Sequence, residues 1–124
     1  MNREEFEQYL ASIGGIYNWK GINNTNPNIF GVGEGWFGLL KNLIDELLSL
    51  GWDRHMITSK EKFGGLNFHI KNITKEMHDV ILTYEKLSYE ICEECGEQGK
   101  LRQGGWVKTL CDKHAEERES KLKY

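Results

Sequence analysis

All three cysteines of this chain lie in its last third, and they share a spacing with one histidine. Two residues separate Cys92 from Cys95, and two separate Cys111 from His114 after a gap of fifteen. This is the pattern of a four-ligand zinc site in which one cysteine is replaced by histidine. Gly96 frees the backbone for the tight turn that the first ligand pair needs. The spacing therefore predicts a segment folded around one Zn²⁺.

The predicted zinc is structural, because the chain supplies four ligands and a catalytic zinc usually keeps one position open for water. An odd number of cysteines argues against a disulfide framework, and a histidine ligand argues against an iron–sulfur cluster. Hydrophobic residues make up only 39% of the 124 residues. Burial alone is expected to stabilise such a chain modestly, so a bound metal would add a needed constraint.

Charge and hydropathy bear on partners and location. The net charge is -3 and the pI is near 5.8. These values argue against a protein that binds nucleic-acid phosphates broadly and without regard to sequence. No stretch has the length and apolar character of a membrane span, and the N-terminal MNREEFEQYL does not resemble a signal peptide. We expect a protein of the cytoplasm that does not contact a membrane.

The fold class predicted from hydrophobic periodicity is α+β, with helices packed on a β-hairpin. Asn2 and Glu5 have the spacing of a capping box, and WFGLLKNLIDELLSLG carries a wide apolar stripe. RHMITS and LNFHIK alternate like strands, with Leu66, Phe68 and Ile70 facing inward. In order, the predicted body over 1–91 contains a helix from Asn2, an ordered loop over 16–35, a helix over 36–50, a hairpin turning at Gly64-Gly65 and a helix over 74–91.

The predicted Cys/His module covers 92–124 and packs on the body. Between the ligand pairs, KLRQ and WVKTL flank Gly104-Gly105 and predict a short hairpin. A helix is expected over 112–123, so that Cys111 and His114 lie at its start. Turn, hairpin and helix in this order resemble a treble-clef or zinc-ribbon finger.

Other candidate chemistry is weaker. The glycine-rich G31-V-G-E-G35 has neither the preceding strand nor the following Lys of a phosphate-binding loop, and a flexible turn explains it better. His55 and His69 lie on opposite strands of the predicted hairpin but have no evident partner, so surface histidines are the favoured interpretation. The cysteines are committed to metal, and no serine has a nucleophile setting. We therefore expect no enzymatic activity.

Trp106 allows two interpretations. An aromatic residue beside Lys100, Arg102 and Lys108 can stack on a base while the cations meet phosphates. Equally, Trp106 can be the apolar core of the small module. The first interpretation predicts a small zinc-finger regulator that binds nucleic acid.

Three segments, SKEKFGGLNFHI, CEECGEQG and GWVKTLCDKH, resemble a group of small phage and prophage proteins over about the last three-fifths of the chain. Size, acidity, the abundance of Asn, Lys and Ile and the finger also resemble a metal-binding anti-CRISPR from a phage of a Gram-positive host. The resemblance implies an inhibitor in the host cytoplasm that binds a type II effector such as Cas9, or its guide RNA complex.

On this hypothesis the module makes the contact, through Glu93, Glu94, Glu97 and Trp106. A negatively charged inhibitor would be attracted to an effector that holds nucleic acid in basic channels. Nucleic-acid binding is the alternative. An immunity or assembly factor for another phage or bacterial protein is a third possibility left open by the sequence.

Overall fold

The computed structural model describes residues 1–122 and has an α+β fold, as predicted. The α-helices are α1 (Arg3–Ser12), α2 (Phe37–Ser49), α3 (Lys75–Ser88) and α4 (Asp112–Leu122). The strands form antiparallel pairs, which are β1 (Ile16–Tyr17) with β2 (Asn23–Asn24), β3 (Met56–Lys62) with β4 (Gly65–Ile70), and β5 (Lys100–Arg102) with β6 (Lys108–Leu110). The expected end of the last helix at Lys123 lies outside the described residues. Among residues 1–122, no helix has the length and apolar character to cross a membrane.

Helix α1 begins at the predicted capping box. Asn2 Oδ1 accepts a hydrogen bond from the backbone N–H of Glu5 at 2.8 Å, and Glu5 Oε1 accepts one from the N–H of Asn2 at 2.9 Å. These two bonds satisfy donors that a helix start would otherwise leave free. Phe6 and Leu10, one turn apart, are fully buried, so α1 covers one side of the core.

Helix α2 is the centre of the core. Its apolar stripe is buried, and the Phe37 ring stacks on the ring of Phe6 with centroids 4.7 Å apart. The helix ends before Gly51, whose φ of +91° suits a residue without a Cβ. The buried stripe consists of Leu39, Leu40, Leu43, Ile44 and Leu47.

The β3–β4 hairpin packs on α3 through β4, and its predicted inner face joins the hydrophobic core. Leu66, Phe68 and Ile70 are buried, as expected. Because Lys62 pairs with Gly65, the two turn residues are Phe63-Gly64 rather than the predicted Gly64-Gly65. This shift of one residue places an aromatic side chain at the tip of the hairpin.

The ordered loop over 16–35 contains β1, β2 and two 3₁₀ turns, Pro27–Phe30 and Glu34–Trp36. Phe30 and Trp36 are fully buried, whereas Trp19 is exposed. The loop therefore covers one side of the core and leads into α2.

Candidate metal centre

The structure brings the four predicted ligands together at one end of the molecule. Cys92 and Cys95 lie on the turn that follows α3, Cys111 lies between β6 and α4, and His114 lies in the first turn of α4. Their ligand atoms are all within 4.8 Å of one another. Cys92 is buried and Cys95 is exposed, so the site lies at the surface with one side against the protein. This group can hold one metal ion such as zinc.

Two of the distances between ligand atoms are close to the edges of a zinc tetrahedron, and a third, 3.2 Å from Cys111 Sγ to His114 Nδ1, is shorter. Zn–S bonds of about 2.3 Å and Zn–N bonds of about 2.0 Å give edges of about 3.8 Å between sulfurs and about 3.5 Å from sulfur to nitrogen. The sulfurs of Cys95 and Cys111 are 3.8 Å apart, and Cys92 Sγ lies 3.6 Å from His114 Nδ1. The residues present therefore fit a single tetrahedral ion.

The backbone around the ligands holds them in this arrangement. The N–H of Cys92 donates to the carbonyl of Glu97 at 2.7 Å, and the N–H of Gly96 donates to that of Cys92 at 2.9 Å. Gly96 has a φ of +82°, which glycine adopts without steric cost. The far nitrogen of His114, Nε2, lies 3.9 Å from a carboxylate oxygen of Glu117, which is longer than a hydrogen bond.

Two of the thiols differ in acidity. The backbone N–H of His114 lowers the pKa of Cys111 to about 7; desolvation opposes this, and the imidazole and neighbouring thiols assist it. For Cys95, the backbone N–H of Glu97 favours the thiolate, but desolvation and the sulfurs of Cys92 and Cys111 raise the pKa to about 11. Cys111 is therefore the more readily ionised of the two, and the thiolate is the form that binds metal.

The glycine-rich loop at 31–35, interpreted from sequence as a flexible turn, packs against the first ligand pair. The N–H of Gly35 donates to the carbonyl of Glu93 at 2.8 Å. A Cβ on Gly35 would overlap the carbonyl oxygen of Cys92 and lie 2.6 Å from the carbonyl carbon of Glu93. Trp36 Nε1 donates to the carbonyl of Ile91 at 2.8 Å. The alternating glycines were a visible signal, but the sequence did not show what they pack against.

Glu93 was predicted to contact a partner, and the structure buries most of its side chain. It is only 6% exposed, and its carboxylate accepts a hydrogen bond from the N–H of Gly33 at 3.1 Å. Burial raises its pKa, with the Gly33 N–H and the charge of Lys108 acting in the opposite direction. Glu93 therefore joins the module to the body. Its place among the predicted partner contacts is corrected, because the side chain is largely buried.

The other predicted contacts lie on the surface. Glu94 and Glu97 are exposed, and Trp106 is 70% exposed, so Trp106 is not the core of the module. The cations near it are partly engaged. Arg102 lies 2.7 Å from Asp112, and Lys108 lies 3.6 Å from Glu94.

The two histidines of the predicted hairpin are not brought together. His69 pairs with Thr58, whereas His55 precedes β3 and stacks on Tyr17 with ring centroids 4.7 Å apart. The strand register therefore does not place His55 opposite His69.

Comparison of the chain with protein-family models, with curated proteins and with solved structures finds no match.

Proposed function

We propose that this chain is a phage-encoded anti-defence protein that inhibits a Cas9-type effector by direct binding in the host cytoplasm. Its C-terminal part is a treble-clef-like or zinc-ribbon-like module around one structural Zn²⁺. The observation that supports the binding role is the four-ligand set: the ligand atoms of Cys92, Cys95, Cys111 and His114 lie within 4.8 Å of one another, enough to occupy all four positions of a zinc ion. An ion held in this way lacks the open position of catalytic zinc, so the protein acts through its exterior and is not an enzyme.

Electrostatics support a protein partner with basic surfaces. Three thiolates, one neutral imidazole and a divalent ion carry a charge of about -1, so the formal -3 becomes about -4 with metal bound. A negative surface accelerates association with the basic channels of an effector that holds RNA and DNA. The choice of Cas9 as the target rests on the resemblance in size, acidity, abundance of Asn, Lys and Ile and the finger to a metal-binding anti-CRISPR, and the phage origin rests on the SKEKFGGLNFHI, CEECGEQG and GWVKTLCDKH segments.

The nucleic-acid alternative draws on one observation, the exposure of Trp106, which leaves its ring free to stack on a base. The ion pairs of Arg102 and Lys108 count against it, because each partner carboxylate offsets the cation that a phosphate would need.

Co-elution of the purified protein with a Cas9–guide RNA complex tests the proposal. We expect a stable complex and reduced DNA cleavage with the wild type, and neither with the His114→Ala variant. The protein should not bind DNA or RNA alone. Nucleic-acid binding that weakens steeply with salt, without co-elution, would support the alternative.

A host protein other than Cas9 is tested by affinity capture from a host lysate. Wild-type and Cys111→Ser baits are compared by mass spectrometry. A single protein other than a Cas effector, captured by the wild type alone and in equimolar amount, would indicate an immunity or assembly factor instead.

A further inference from the structure

Phe63 and Trp106 have the most exposed large apolar side chains among residues 1–120, at 73% and 70%. They come from separate parts of the chain, the tip of the β3–β4 hairpin and the loop between β5 and β6. Yet both line one groove of about 470 Å³, together with Glu61, Lys62, Gly105 and Val107. Isolated exposed apolar residues are ordinary, but two large aromatic rings in one groove mark a contact surface.

The backbone at Phe63 strengthens this interpretation. Phe63 and Gly64 are the central residues of a two-residue hairpin turn and have φ values of +52° and +85°. A turn with two positive φ values favours Asn, Asp or Gly at its first position, and a bulky side chain there is strained. Since the ring is exposed, burial does not compensate for the strain. Neither local conformation nor the core explains a phenylalanine at this position, and strain of this kind concentrates at functional sites.

Contacts between the body and the module fix the two rings relative to each other. Thr109 Oγ1, fully buried, donates to the carbonyl of Gly64 at 2.7 Å. A Cβ on Gly64 would overlap the side chain of Leu101, so the hairpin tip is seated closely on the module. On the other side, Arg118 donates to the carbonyls of Trp106 and of Gly104. The groove is therefore already formed in the free protein whenever the Cys/His module is folded.

The charges around the groove discriminate between classes of ligand. An adjoining groove of about 370 Å³ also contains Glu61 and Trp106 and adds Glu93 and Lys108. Two acidic and two basic side chains thus line the combined surface, namely Glu61, the largely buried Glu93, Lys62 and Lys108. A chain of phosphates requires a surplus of cations, whereas an apolar centre with a rim of both signs is typical of protein interfaces.

We propose that the groove between Phe63 and Trp106 binds a protein segment that places one apolar side chain between the two rings. The inference rests on the proposed function, in which the protein acts by binding a partner protein, and it assigns the contact to this groove. Buried aromatic anchors carry a large share of the affinity of such interfaces. The hairpin tip of the body therefore takes part in recognition along with the module.

A library of random peptides displayed on phage tests the groove on the full-length, zinc-loaded protein. We expect the enriched peptides to share an apolar residue, and their affinity to fall about tenfold or more in the Phe63→Asn and Trp106→Ala variants. Trp19→Ala is the matched control. Trp19 is 61% exposed and its carbonyl accepts from Lys71 beyond the other end of the hairpin, so peptide affinity should not change.

Phe63→Asn also separates recognition from folding. Asn-Gly is a favoured pair for this turn, so the variant should unfold at a temperature equal to or above that of the wild type while losing the peptide. Failure to enrich peptides, or equal binding by the wild type and Phe63→Asn, would overturn the inference. So would Phe63-dependent binding of a single-stranded oligonucleotide, or self-association that Phe63→Asn abolishes.

The Cas9–guide RNA complex, tested with the same variants, distinguishes failure of this inference from failure of the proposed function. Inhibition by Phe63→Asn as strong as that of the wild type would retain the proposed function and reject the groove. Conversely, groove-dependent peptide binding without any interaction with the complex would retain the groove and reject Cas9 as the target.

Discussion

The body and the Cys/His module keep their shapes by different means. Every residue of the buried hydrophobic cluster lies between Phe6 and Ile81. Within residues 92–120, the buried apolar residues are Cys92 and Leu110. A segment with so little apolar burial cannot offset its conformational entropy by the hydrophobic effect. We infer that a hydrophobic core holds the body together, whereas the module depends on its ligand set and on hydrogen bonds to the body.

Loss of the metal should have the largest effect on stability, and it should unfold the module while the body stays folded. Zinc binding contributes about 10 to 16 kcal/mol in finger peptides. In the His114→Ala variant, or after chelation, we expect residues 92–122 to lose amide protection while α2 keeps it. Hydrogen exchange read by mass spectrometry, with zinc content from elemental analysis, checks this.

His78→Ala is the matched control for that experiment, because His78 is an exposed histidine of α3. It should retain one zinc and full protection. If α2 lost protection together with the module in His114→Ala, the two regions would be a single cooperative unit and the comparison would fail.

A cavity in the body should have the converse effect. Leu43 is fully buried in α2, and Leu43→Ala is expected to lower the free energy of unfolding by about 2 to 5 kcal/mol. Zinc content should remain one ion per chain, since Leu43 contributes nothing to the ligand set. Urea unfolding followed by circular dichroism measures the loss. Leu82→Ala, at a position 40% exposed, should change stability little, and an equal loss there would contradict the role of the α2 stripe.

The contact between the two regions is tested by adding one methyl group. Gly35→Ala places a Cβ against the carbonyl of Cys92, so the backbone must move and the bond from Gly35 to Glu93 must weaken. We expect a loss of about 1 to 3 kcal/mol together with weaker zinc binding. Chelator competition and urea unfolding measure the two effects.

Gly38→Ala makes the same chemical change three residues later. A Cβ on Gly38 meets nothing within 4 Å, and the residue lies in α2. Alanine should therefore stabilise the helix by up to about 1 kcal/mol and leave zinc affinity unchanged. If both variants behaved alike, close packing at Gly35 would not be the cause.

The smallest expected effect concerns a polar network on the surface of the body. Asp45 accepts hydrogen bonds from Lys41 at 2.7 Å and from the hydroxyl of Tyr9 at 2.5 Å. Desolvation raises the pKa of Asp45, but these bonds outweigh it and hold the pKa below 3.8. A lowered pKa means that the carboxylate stabilises the fold above about pH 4, and that this contribution is lost as the pH falls further.

Because the Asp45 side chain is 45% exposed, Asp45→Asn should cost less than about 1 kcal/mol at neutral pH. The difference from wild type should shrink below pH 4. Urea unfolding of both proteins from neutral to acidic pH measures it. Acid also releases metal, but it does so in both proteins, so the difference reports on the body. A difference that did not depend on pH would contradict the ionic origin.

Much of the architecture could be predicted because its signals are local. The capping box of Asn2 and Glu5 lies within one turn, and the inward positions of Leu66, Phe68 and Ile70 follow from simple alternation. The turn of the same hairpin was misplaced by one residue. Gly64-Gly65 is a strong turn signal, but the observed turn uses a strained Phe63, for which the sequence contained no local reason.

The sequence by itself determined the α-helices and the β3–β4 hairpin of the body and the identity of the four candidate ligands. Helical and strand periodicity, and the spacing of two residues within each ligand pair, are properties of short segments. Only the tertiary structure decided that Glu93 is buried, that Gly35 lies against Cys92, and that Phe63 and Trp106 share a groove. The residues brought together are Glu93 and Gly33, Gly35 and Cys92, and Phe63 and Trp106. Each pair is separated by about forty to sixty residues along the chain, and such neighbours depend on how every intervening element packs.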